Sequence, residues 1–236
     1  MPRTSLAAGG VIVPPPGYLL RALELCRERG MLLVMDEAQT GFGRLGAMFR
    51  FELDSIVPDV LAVSRTLGGG VPLAATIVSS ATEEAAVAKG FLHVTSHVSD
   101  PLPAAAGLAV LDVIEEDHLV ARAAERGDHL MRRLRELQDE HEQVGEVRGR
   151  GLLVGVELVC DRDTREPADT LGAAVTEECL RCGLSMNIVR SGQNANCLRM
   201  APPLSVSEDE IDTAVEILEV ALRTSVARTN APSTAT

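Results

Sequence analysis

Lysine is almost absent: among the 22 Lys and Arg residues of this 236-residue chain, only Lys89 is a lysine. Any chemistry that depends on a lysine amine therefore has one candidate. Positive charge is scarce in general, with 34 acidic residues against those 22 and a formal net charge of −12. Such a field repels nucleic acid and an anionic membrane, so neither is expected as a partner. No apolar run approaches the ~20 residues of a membrane-spanning helix. The start, MPRTSLAAGGVIVPPPGY, has no signal-peptide apolar core. Nor is there a disulfide framework: Cys26, Cys160, Cys179, Cys182 and Cys197 are odd in number and scattered, as expected of reduced thiols in a cytoplasmic protein. Cys179 and Cys182 form a lone C-x-x-C in a helical run, without the second pair a zinc site needs. No internal repeat is visible. What is present, 46% hydrophobic and 24% charged residues, is the composition of a chain that can build a core.

Residues 17 to about 90 alternate helical and strand-like segments. Apolar spacing predicts a helix over Tyr18–Arg29, ended by Gly30. Met31–Met35 is a continuous apolar run of the kind buried on both faces of a parallel sheet, and Asp59–Val63 and Leu73–Val78 repeat it. This is α/β grammar. From Pro101 the pattern changes to helices over Pro103–Ile114 and Leu119–Gln138, the second with Ala123, Leu130, Met131, Leu134 and Leu137 on one side, then strands within Val144–Val159 around Gly149, Gly151 and Gly155. A helix near Leu171–Cys182 and strands at Ser185–Val189 and Leu198–Met200 follow. The last helix opens with a capping box, Ser207 and Glu210, and carries the stripe Ile211, Ala214, Val215, Leu218, Leu222. The expected division is a partial α/β domain over residues 1–100, a smaller α+β domain over 101–226, and a polar, disordered tail over 227–236.

The sharpest local feature is an apolar strand ending in Asp36-Glu37, because acids at the carboxyl end of a buried parallel strand sit where open α/β sheets bind ligands. Three readings are open for such an acid: it caps the next turn, it helps hold magnesium in a P-loop NTPase, or it faces the ring nitrogen of pyridoxal phosphate. The NTPase reading needs G-x-x-x-x-G-K-[ST], and Lys89 stands in Ala-Val-Ala-Lys89-Gly90 instead. Gly41-x-Gly43-x-x-Gly46 has a dinucleotide-loop form, but it is separated from the strand end and Ala47–Asp54 does not read as the long helix that geometry needs.

Asp36-Glu37-Ala38-Gln39-Thr40-Gly41-Phe42-Gly43-Arg44, Pro58-Asp59-Val60-Leu61, Ser64-x-x-Leu67-Gly68-Gly69-Gly70 and Pro72-Leu73-Ala74-Ala75 resemble the class III pyridoxal-phosphate aminotransferases of fold type I. The second half is similar to the 2,2-dialkylglycine decarboxylase branch, in Ser96-His97-Val98-Ser99-Asp100-Pro101, Gly149-Arg150-Gly151-Leu152-Leu153, Gly183–Val189 and Ala201–Asp212. The resemblance runs from about Gly9 to Leu222. It implies a fold-type I large-domain portion followed by a small α+β domain, in a homodimer or tetramer that passes an amine between an amino acid and a keto acid. It also implies roles. Asp36 would pair with the pyridinium nitrogen, Ala38 would pack on the ring face and Gln39 would bond the 3′-oxygen. Ser96 would bind the cofactor phosphate of a neighbouring subunit. Arg199 would clamp a substrate carboxylate; otherwise it is a surface arginine. The same branch binds an alkali cation, potassium or sodium, for which Ser96, Val98 and Asp100 are the candidates here.

Two departures qualify the resemblance. Arg65 stands where the family has the lysine that attaches the cofactor as an imine. An imine needs a neutral amine with a free lone pair, whereas a guanidinium stays protonated and delocalised. Lys89, about two dozen residues on in a helix over Glu83–Gly90, reads as a solvated surface residue. The family's first half, with the phosphate-cradling loop and the aromatic that stacks on the ring, has no counterpart in these residues, and Arg3 falls where the family has a glutamate. Uncovered sheet edges and poor solubility are expected. The resulting expectation is an enzyme by family that does not turn over as encoded. The alternative is a non-catalytic remnant that binds cofactor weakly or pairs with a homologous subunit.

Overall fold

In the computed structural model, which describes residues 9–191 and 194–229, the chain divides into two units, residues 14–122 and residues 9–13 with 123–229. Neither boundary is the expected one at 100/101. The first eight residues, Arg3 among them, and residues 230–236 lie outside the described residues.

In the first unit, helix α1 (Tyr18–Glu28) buries Leu19 and Leu23 and ends at Arg29, with Gly30 at φ 62° making the turn. Strand β1 spans Val34–Asp36, three residues later than the apolar run begins. Met31 and Leu32 stay about half exposed. The reason is local: Asp59 Oδ2 accepts from the Leu33 N–H at 2.7 Å, and Leu33 O accepts from the Asp59 and Val60 N–H groups. Pairing proper therefore starts at Val34↔Val60. β2 (Val60–Ser64) runs parallel to β1, and β3 (Ala74–Val78) runs antiparallel to β2, giving the order β1-β2-β3. The antiparallel turn corrects the reading of Leu73–Val78 as another buried parallel strand. Residues 65–73 are too few for a crossover, which takes a dozen or more residues, and all five β3 residues are exposed.

Helix α2 (Ser80–Ala88) follows, N-capped by the Ser79 hydroxyl, and Lys89 at its C-cap is exposed as expected. Helix α3 (Pro101–Glu116) stays with this unit, not with the smaller domain. Gly107 sits against Leu67 and Leu73 so closely that a Cβ there would lie 2.6 Å from Leu73 Cδ2.

The second unit is an antiparallel sheet carrying helices. Its strands are β4 (Val144–Arg150), β5 (Leu153–Asp161), the two-residue β6 (Glu166–Pro167), β7 (Asn187–Ser191) and β8 (Asn194–Met200), in the order β4-β5-β8-β7 with β6 on β5. The helices are α4 (Leu119–Glu140), which belongs to this unit from Ala123 on, α5 (Asp169–Arg181) and α6 (Glu208–Thr229). The predicted stripes form the core: Ala123, Leu130, Leu134 and Leu137 of α4 and Ile211, Val215, Leu218 and Leu222 of α6 are buried, while Met131 and Ala214 of the same stripes are half-buried. The α6 capping box closes as its sequence requires, with the Ser207 N–H donating to Glu210 Oε2 at 2.8 Å and the Glu210 N–H to Ser207 Oγ at 3.2 Å. α6 runs two residues past Ala227, where the tail is expected to begin. Gly127 is required by close approach: a Cβ there would lie 2.4 Å from the Gly151 backbone, where α4 crosses the β4–β5 hairpin. Residues 9–13 join this unit because Gly10 O accepts from Arg148 Nε at 2.8 Å and Val11 is buried. No helix among the described residues is long and apolar enough to cross a membrane.

Candidate active site

The parallel pair β1–β2 places the first half of the candidate site. Register sets Asp36 opposite Ala62, so Asp36 and Arg65 come to the same carboxyl edge of adjacent strands. The period of two decides which way the neighbouring acids point. Leu33, Met35 and Glu37 are buried, while Val34, Asp36 and Ala38 are half-buried. Asp36 thus faces away from the core, and its Oδ1 accepts from the Ala38 N–H at 3.1 Å. The turn-capping reading of Asp36 is therefore realised, alongside whatever else its carboxylate holds.

Glu37 is the residue that sequence reasoning passed over. It is fully buried, and its carboxylate accepts from the backbone N–H groups of Arg50 at 2.6 Å and Phe51 at 3.0 Å and from Thr40 Oγ1 at 3.2 Å. Burial pushes its pKa up, and the two backbone donors work against that rise. Its own N–H donates to Ala62 O at 2.8 Å, which carries the strand pairing one residue further. Glu37 therefore ties residues 37–51 into one loop on which Ala38 and Gln39 are both half-buried. Phe49 supports the loop, edge-on to Phe42 at 5.4 Å and stacked on Phe51 at 5.6 Å. Burial also lowers the pKa of Arg44 in the same loop. The signal for Glu37 was in the sequence, since a strand alternating Leu33, Met35, Glu37 on its core face needs a partner for that carboxylate.

Arg65 opens a short 3-10 turn, Arg65–Gly68, directly after β2. It is exposed and held at φ 57°, a left-handed conformation that a residue with a Cβ adopts at an energetic cost. Ser96 and Val98 lie exposed in a turn closed by the Val98 N–H to Thr95 O at 3.2 Å. Asp100 occupies the N-cap position of α3 without a side-chain cap bond, and its Oδ2 lies 3.6 Å from His97 Nδ1.

Arg199 belongs to the second unit. It lies on β8 opposite Gly155 of β5 and Asn187 of β7, with Leu198 and Met200 buried on the other face of the strand. Its half-buried side chain lines a cavity of about 380 Å³ with Ser185, Met186, Asn187, Pro202 and Glu210. The guanidinium makes no hydrogen bond or ion pair among the described residues. Glu210 does not neutralise it, because that carboxylate is held by Ser207, whose N–H and hydroxyl keep its pKa down. A cation in a cavity wall, with no anion paired to it among the described residues, is arranged to take one from a ligand.

The residues present fit a pyridoxal ring in part. A carboxylate at the strand edge, a small residue and an amide on a fixed loop suit the ring nitrogen, face and 3′-oxygen. The guanidinium of Arg65 does not suit imine attachment.

The family model for class-III aminotransferases matches residues 4–222. Among curated proteins, an uncharacterized aminotransferase of Schizosaccharomyces pombe is 46% identical over 219 residues, covering 93% of this chain and 49% of that protein. A leucine/methionine racemase of Thermococcus litoralis is 35% identical over 90% of this chain and 47% of its own length. Among solved structures, a transaminase from the marine bacterium Virgibacillus superposes with a TM-score of 0.91 at 32% identity, over 97% of this chain and 53% of that one. The chain spans about half the length of the curated relatives it matches.

Proposed function

The chain belongs to the class-III aminotransferases, which are pyridoxal-phosphate enzymes, and on that premise we propose that it carries the carboxyl-side portion of their cofactor and substrate site. Asp36 holds the ring nitrogen protonated, Ala38 packs on the ring and Gln39 donates to the 3′-oxygen. Ser96 offers its hydroxyl to the cofactor phosphate of a neighbouring subunit in a homodimer or tetramer. Arg199 receives the carboxylate of the amino acid or keto acid. When bound, the cofactor supplies a protonated pyridine ring that withdraws electrons from the substrate carbon. The observation that carries this reading is the strand register: Asp36 and position 65 meet at one carboxyl edge, the latter in a strained left-handed conformation.

The motifs of the second half favour the dialkylglycine decarboxylase branch, in which loss of carbon dioxide from the amino acid precedes amine transfer to the keto acid. An alkali cation would then sit by Ser96, Val98 and Asp100. Five free cysteines support a reducing, cytoplasmic setting. Arg65 cannot supply the amine, so this chain as encoded does not turn over.

The test is a titration with pyridoxal phosphate followed by borohydride reduction and peptide mapping. We expect reversible binding, weakened by Asp36→Asn, and no reducible linkage in the 64–68 peptide. A linkage there, or turnover with any amino and keto acid pair, refutes the inactivity. Binding that Asp36→Asn leaves unchanged refutes the site. A second reading, a non-catalytic partner of a homologous subunit, is supported by the exposed apolar residues Ile77, Phe91, Leu92 and Val94. Co-purification with a full-length homologue, without reversible cofactor binding by this chain alone, would favour it.

A further inference from the structure

The carboxyl end of α4 presents a histidine with a buried, unanswered nitrogen. His141 follows the last helical residue, and its backbone is fixed. Its N–H donates to Leu137 O at 3.1 Å, and its carbonyl accepts from the Val144 N–H at 3.0 Å and from Arg162 Nη2 at 2.9 Å. Arg162 also bonds the carbonyls of Gln138 and Glu142. The side chain is 14% exposed, and Nε2 is buried with no hydrogen-bond partner. Glu219 Oε1 of α6 lies 4.0 Å from Nε2, too long for a hydrogen bond. Glu140 completes the group: one ligand atom from each of Glu140, His141 and Glu219 lies within 4.8 Å of the others.

We propose that Glu140, His141 and Glu219 bind a divalent transition cation of the Zn²⁺ and Co²⁺ class. Metal–ligand bonds of ~2.0–2.2 Å set neighbouring donor atoms roughly 3.4 Å apart around a tetrahedral ion, so on binding the His141–Glu219 pair closes by about 0.6 Å and no pair of the cluster by more than about 1.4 Å. One imidazole with two carboxylates suits these ions, whereas calcium and magnesium take oxygen alone. Water fills the remaining positions from the exposed Glu140 side. Among the described residues, two cations contact this region. Arg162 is engaged by backbone carbonyls. Arg223, which pairs with Glu219 along α6, is 69% exposed and free to swing into solvent. An ion at this place ties the end of α4 to the middle of α6 and gives Nε2 the partner it lacks. The rival account is a protonated His141 paired with Glu219 and no metal.

Co²⁺ titrated into the full chain, read by visible absorption and calorimetry, separates the two. One saturating equivalent is expected, with weak visible bands and without the intense near-ultraviolet band of thiolate ligation that capture by the exposed Cys160 or Cys182 would give. His141→Gln and Glu219→Gln each weaken binding at least tenfold, Arg223→Ala tightens it several-fold, and Zn²⁺ competes for the same equivalent. Absence of saturable binding, a thiolate band, or equal affinity in folded His141→Gln and Glu219→Gln overturns the proposal. If those variants fail to fold, Glu140→Gln at the exposed position decides: several-fold weaker binding supports the site and unchanged affinity overturns it.

Discussion

Removing the Glu37 carboxylate is the most direct test of how the Asp36 loop is held. In Glu37→Ala the backbone donors of Arg50 and Phe51 lose their acceptor inside the protein, as does the Thr40 hydroxyl. A buried donor left unsatisfied costs about 1–3 kcal/mol, so two backbone donors alone amount to roughly 2–6 kcal/mol. Relief of the buried charge offsets part of this, and a net loss of about 2–4 kcal/mol is expected. Against a usual total of ~5–15 kcal/mol that is a large fraction. Urea unfolding followed by circular dichroism should show it as a midpoint lowered by about 1–2 M. Glu37→Gln keeps one acceptor oxygen and turns an amide N–H₂ toward a donor, so its loss is smaller, about 1–3 kcal/mol. The pH dependence has a definite sign. Burial raises the pKa of Glu37 in the folded state, so its contribution is complete below the ordinary carboxylate value near ~4.3 and shrinks as pH rises through the raised one. Glutamine cannot titrate. The stability difference between the wild type and Glu37→Gln should therefore be larger at low pH than at high pH. A Glu37→Ala loss below ~1 kcal/mol, or a difference that grows with pH, would refute the role assigned to the buried carboxylate.

Burial pushes the Cys179 and Cys197 thiols up to about 11, so at pH 8 a disulfide reagent should titrate Cys26, Cys160 and Cys182 quickly and the other two only after denaturation. Five equally fast thiols would contradict the burial. Gly127→Ala sets a Cβ 2.4 Å from the Gly151 backbone, and backbone cannot move aside as a side chain does. A loss of about 1–3 kcal/mol in the second unit is expected in thermal unfolding, in spite of alanine's better helix propensity. An unchanged or raised Tm would show that α4 and the hairpin are further apart.

What was legible in the sequence follows from how local the cause is. The capping box of α6 and the stripes of α4 and α6 depend on spacing along one element, and they fold as read. β1 begins late because Asp59, from a distant segment, takes the Leu33 N–H; no property of Met31–Met35 encodes that. The direction of β3 was readable from the short 65–73 link, but the apolar character of Leu73–Val78 outweighed it. Helix α3 resembles the helices after it in composition, yet a glycine fitted under Leu73 keeps it with the first unit. Residues 9–13, two glycines and three apolar residues, look like a lead-in to the Pro14–Pro16 run, and only Arg148, far along the chain, shows that Gly10 is an acceptor. At the candidate site, Asp36 is singled out by its place at the end of an apolar strand, and the roles proposed for Ala38 and Gln39 rest on the resemblance alone. Glu37 needed the alternation to be followed one residue past the apolar run.

The scarcity of lysine bears on chemistry through position 65. Arg65 keeps φ at 57° although its side chain is exposed, so that side chain is not what enforces the strain. The backbone around it does. β2 hands directly to the 3-10 turn, Gly69 follows at φ 57° and Gly70 at φ 105°, and β3 returns antiparallel within nine residues. The left-handed conformation at position 65 therefore belongs to the link between two paired strands. Arginine and lysine have similar intrinsic propensities and both keep an exposed head solvated. Arg65→Lys is accordingly near neutral for folding while it alters the reactive group completely. Fold and reactivity separate at this one residue. On the proposed reading, a chain can superpose on a transaminase structure over 97% of its own length and still carry a guanidinium where the chemistry asks for an amine.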